Sequence, residues 1–110
     1  MTIQNPMEQL QLAEQNMQNI TLQKQVFQME LVETNNALEE LKNVKNEEVF
    51  KVVGSVMVKT DKKKVTEDLK KKSQVLDLRM KALEKQEEDL KQKIIKIRSE
   101  ILKKTKVEKK

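Results

Sequence analysis

The chain has 110 residues, with 23 Lys+Arg against 18 Asp+Glu for a net charge of +5, and it contains no His, Cys, Trp or Tyr. Those absences remove zinc sites, thiol nucleophiles and imidazole bases, and a single Gly cannot build a phosphate-cradling loop. Phe27 and Phe50, the two aromatics, are too few for a base-stacking platform, so no ordinary enzyme and no cofactor is expected.

Charged residues make up 37% of the chain and hydrophobic ones 36%, which suits long helices or coiled coil, with disorder as the bland alternative. Periodicity decides between the two. No apolar run approaches the ~18 residues of a membrane span. The Gln/Asn-rich start lacks the apolar core of a signal peptide, which makes the cytoplasm the expected compartment. Charge is unevenly placed. Residues 1–46 hold 3 Lys against 6 Glu, net −3, and residues 47–110 hold 20 basic against 12 acidic, net +8. A chain folding back on itself fits that asymmetry; so does a nucleic-acid binder using its basic half.

The first predicted element is a helix over 5–46, opened by Asn5 as N-cap and Pro6 at the first helical position. Alternating steps of three and four give Leu10, Ala13, Met17, Ile20, Lys24, Phe27, Leu31, Thr34, Leu38 and Leu41, a heptad seam interrupted by two polar residues. The next segment, 48–60, is dense in β-branched residues, and the chain's one Gly sits at its centre. Val53-Gly54-Ser55-Val56 reads as a two-residue hairpin turn with Gly at positive φ, joining strands of about 49–53 and 56–60. A second helix follows over 61–105, with Asp61 as N-cap and residues 106–110 fraying. Its seam is Leu69, Ser73, Leu76, Met80, Leu83, Glu87, Leu90, Ile94, Ile97 and Ile101.

The whole chain thus reads as one mainly α unit, 1–110, in which a hairpin joins two antiparallel coiled-coil helices. Mirrored about the turn, Lys24 and Glu87 fall within about one layer of each other, so they either pair in the seam and fix its register or meet there by coincidence. The hairpin carries Val49, Phe50, Val52, Val53, Val56, Met57 and Val58 on both faces. A lone two-stranded hairpin is marginal in water. Hairpins from several subunits therefore either share a sheet or barrel, or each folds back onto its own helix bases.

The run Val49–Lys72, VFKVVGSVMVKTDKKKVTEDLKKK, and the stretch Leu76–Ile94, LDLRMKALEKQEEDLKQKI, resemble the β class of prefoldin subunits. Lys51-Val52-Val53-Gly54, Val58-Lys59-Thr60-Asp61 and Leu83–Glu87 carry the resemblance most specifically, and a single hairpin matches the β class. It implies a hexamer of two α-type and four β-type subunits, a β-barrel body made of hairpins, and coiled-coil arms. Such a particle holds non-native proteins at its arm tips without ATP and passes them to a group II chaperonin. The plain termini favour an archaeal source.

Residues surplus to the seam agree with that reading. Met7 and Leu12 on the first helix, with Ile95 and Leu102 on the second, gather where the termini meet. They are either a client-binding cluster or scattered surface apolars. Leu22, Val26 and Met29 form a mid-helix stripe, read as an ordinary outer face rather than a cavity lining. Val75, Leu78 and Ala82 suit burial against a barrel or a neighbouring subunit. The lysine runs 62–64 and 70–72 are solvated faces or a dock for an acidic partner. The rival to a chaperone subunit is a basic coiled-coil adaptor binding nucleic acid or an acidic protein, and steep loss of affinity with salt would mark it.

Overall fold

The computed structural model describes residues 5–108, with side chains described over 5–104. Four elements follow in chain order: α1 (Pro6–Asn43), β1 (Glu48–Val53), β2 (Val56–Asp61) and α2 (Lys62–Glu108). α1 starts as its sequence dictates. The Asn5 side-chain oxygen accepts the Glu8 amide at 2.9 Å, and Pro6 fills the first helical position, where no amide is needed. The helix stops at Asn43, three residues short of the expected 46, where the Val44 amide turns back to the Leu41 carbonyl at 3.2 Å.

β1 and β2 pair antiparallel, Val53 opposite Val56 and Val49 opposite Thr60. Gly54 has φ 61°, and among the described residues no other position has positive φ. Positive φ at the first central residue alone is the type II′ turn, whose twist matches that of the strands. Each strand is one residue longer than predicted, because Glu48 and Asp61 also pair. Asp61 closes the ladder and also directly precedes α2, the position expected of a cap, and the Lys62 amide at the start of α2 donates to the Glu47 carbonyl at 2.7 Å. The Lys62 ammonium adds a bond to the Val44 carbonyl, tying the helix start to the linker between α1 and β1. α2 then runs to Glu108, three residues beyond the expected 105; the rest of the predicted frayed tail, 109–110, lies outside the described residues.

Contacts divide the chain into two compact units, one of Met1–Val26 with Lys81–Lys110 and one of Phe27–Met80. In the first, Ala13, Ile94 and Ile97 are buried, and Leu10, Met17, Leu90 and Ile101 pack against them. In the second, Thr34, Leu76 and Met80 are buried and the hairpin is largely exposed. All ten predicted seam positions of each helix are buried or half-buried. Between residues 67 and 104, no other position is. The 3-4 spacing does this by keeping one narrow stripe turned toward the partner helix, and an apolar side chain contributes about 1.5–3 kcal/mol there where its burial is complete.

Candidate interaction surfaces

The hairpin's two faces follow from its register. Side chains directly opposite each other share a face, so Phe50, Val52 and Met57 lie on one, and Val53, Val56 and Val58 on the other. Both are apolar and both are open: Val52 is 68% exposed and Met57 65%. They are not equivalent, however. The second face overhangs the first turns of α2, where Val53 and Val58 line a groove with Val65 and Leu69; Phe50, Val52 and Met57 turn away from it. The backbone edges are also open. In a hairpin with a two-residue loop the pair closing the turn is hydrogen-bonded, so Val53/Val56 and Lys51/Val58 bond to each other. Phe50 and Val52 on β1, with Met57 and Lys59 on β2, then direct their amides and carbonyls outward. The only charge pairing within the described sheet is exposed, Lys59 to Glu48 at 3.0 Å.

A second apolar surface lies near the start of α1 and the end of α2. Met7, Leu12, Ile95 and Leu102 are all about half exposed or more, around the closed cluster of Ala13, Ile94 and Ile97. The seam there is complete without them. Arg98 and Glu14, at 3.1 Å, form an exposed ion pair beside this cluster, which pattern reading did not single out. The Leu22, Val26 and Met29 stripe is exposed, and Val32 extends it by one turn. Val75 and Leu78 are exposed as well.

The polar interruptions of the seam are all satisfied. Lys24 and Glu87, each about a quarter to a third exposed, meet at 3.1 Å. The Thr34 hydroxyl donates to the Glu30 carbonyl at 2.7 Å, and Ser73 to the Asn35 side-chain oxygen at 3.0 Å. Arg79 stands 5.9 Å from the centre of the Phe27 ring, a cation–π contact between an off-seam and a seam residue. Among the described residues no cluster of carboxylates is arranged to hold a metal ion, and no helix is long and apolar enough to cross a membrane.

Two long helices joined by one antiparallel hairpin, with apolar residues left open at the hairpin and at the helix ends, define a hairpin-linked coiled-coil protein. Comparison with known proteins makes the class specific. The sequence profile of the prefoldin subunit family matches residues 4–108. Prefoldin subunit beta of Thermococcus onnurineus (strain NA1) is 43% identical over 93 residues, covering 84% of this chain and 80% of that one. Its counterpart in Archaeoglobus fulgidus is 37% identical over 91 residues, with 82% and 78% covered. The crystal structure of the prefoldin beta subunit from Thermococcus strain KS-1 superposes with a TM-score of 0.79 at 37% identity, covering 87% of this chain and 85% of that one. The chain belongs to the prefoldin family and is of its β-subunit type. Members of that family are co-chaperone subunits rather than enzymes, and they work as hetero-oligomers with other prefoldin subunits.

Proposed function

We propose that the chain is a cytoplasmic, ATP-independent chaperone subunit that captures non-native proteins at the helix ends and passes them to a group II chaperonin. The observation that carries this reading is the exposure of Met7, Leu12, Ile95 and Leu102 around a seam that is already closed without them. Clustered exposed apolar groups mark a binding surface. Methionine suits a surface with many clients because its unbranched thioether repacks easily. One such patch binds weakly. Several on one body reinforce each other, since each later contact is intramolecular.

The body in this reading is a β-barrel formed by the hairpins of two α-type and four β-type subunits, the residues Val49–Val58 supplying this chain's share. Its support is the exposure of both hairpin faces and edges, which in a lone chain invite another strand. Met7, Leu12, Ile95 and Leu102 all replaced by Ser should leave assembly and helix content intact and reduce protection of denatured citrate synthase at least several-fold, equally with and without ATP. Leu22→Ser with Met29→Ser is the control and should cost little. Full protection by the fourfold variant, or greater damage from the control, contradicts the assignment.

A further inference from the structure

The hairpin's inner face belongs to a groove of about 530 Å³ whose other wall is the start of α2. Val53, Val58, Val65 and Leu69 make its apolar floor. Lys51, Lys64 and Lys72 stand on its rim, and none of the three has a carboxylate partner among the described residues. Lys59 borders the groove from the outer face, where Glu48 holds its ammonium, and Asp68 is the lone acid in the lining. The face that turns away has a different character: Phe50, Val52 and Met57 are more exposed, and none of them lines the groove.

We infer that the groove is a second, separate subunit contact, which receives an acidic segment with apolar side chains from a neighbouring prefoldin subunit. This rests on the proposed assembly through the hairpin and assigns its two faces to different contacts. Charge complementarity selects the occupant. Three uncompensated lysines against one aspartate leave the rim with surplus positive charge, and lysines round an apolar floor favour carboxylates flanking apolar residues. The outer face carries only Lys59 between its apolar residues, and Glu48 already neutralises that lysine. The two contacts therefore respond differently to salt, since only the groove relies on screened charge.

The test uses the full chain mixed with its α-type partner, and reads the concentration at which the complex dissociates at about 50 mM and about 500 mM salt. Lys64→Glu with Lys72→Glu should raise that concentration about tenfold or more at low salt and by much less at high salt. Lys64→Arg with Lys72→Arg should restore it, and circular dichroism should show unchanged helix content for both. Val52→Asp, on the outer face, should weaken assembly at both salt concentrations. Unchanged assembly of the Glu variant at low salt overturns the groove contact while Val52→Asp still reports on the hairpin. Loss of neither means the hairpin itself is not the assembly element. A Glu variant that assembles normally but no longer binds poly(A) RNA assigns the lysines to nucleic acid and likewise overturns the proposal.

Discussion

The helical seam and the hairpin are built from similar apolar side chains and reach opposite ends. Leu76, Met80, Leu83, Ile94 and Ile97 are each under a tenth exposed, while Phe50, Val52, Val53, Val56, Met57 and Val58 are each about half exposed or more. Periodicity makes the difference. Steps of three and four put every seam residue on one stripe, which a second helix of the same chain closes. A strand repeats every second residue, so a run apolar at nearly every position has two apolar faces, and one chain cannot cover both. The seam is the part of the molecule that satisfies itself. The hairpin is the part that needs others, and family membership says which others: prefoldin subunits.

The largest expected effect breaks this comparison on the hairpin side. Val52→Asp places a charge where a shared sheet would bury it, at a cost of several kcal/mol if it is left unpaired. Assembly with a partner subunit should fail by native mass spectrometry while the helix signal of the isolated chain is retained, because Val52 touches little in the chain alone. Next comes the seam side. Leu83→Ala opens a cavity at a position only 6% exposed and should destabilise the helix pair by about 2–4 kcal/mol, read as a lower melting temperature of the isolated chain. The two substitutions thus separate stability from assembly, each affecting mainly one.

A smaller effect sharpens the account of the seam itself. Sliding one helix by a heptad sets Lys24 against Met80 or Ile94 and Glu87 against Met17 or Leu31, so either slip strands both charges on apolar residues. A double-mutant cycle on Lys24→Ala and Glu87→Ala should give a coupling of about 0.5–1 kcal/mol, since the pair at 3.1 Å is only partly shielded. Replacing both by Met and Leu should leave the melting temperature equal or higher. Zero coupling would mean that the pair meets without specifying the register.

The seam is legible because its signal is local and repeated, and its twenty positions are buried or half-buried along one stripe of each helix. Lys24 and Glu87 were legible for the same reason, as breaks in an otherwise apolar series. The element ends were not. Val44-Lys45-Asn46 contains no Pro or Gly, so nothing in its composition announces that α1 has stopped at Asn43. Asp61 stands directly before α2 as a cap would, and only the ladder's register reveals that it also pairs with Glu48. The hairpin's residues read as an assembly element, but their two faces look alike in sequence. What distinguishes them is the position of α2, which borders one face and not the other. Arg79 over Phe27 is not legible in the sequence because one partner lies outside the seam pattern.

Amide hydrogen exchange at the hairpin tests the central claim most directly. The amides of Phe50, Val52, Met57 and Lys59 point outward from the ladder, so in the isolated chain they should exchange rapidly, while those of Lys51, Val53 and Val58 are slower. Mixing with an α-type prefoldin subunit should protect the outward set by at least an order of magnitude, because strands from neighbouring subunits then accept those hydrogen bonds. Outward amides that exchange as fast in the complex as in the free chain would contradict the account, and the assembly contact would then lie elsewhere on the helices.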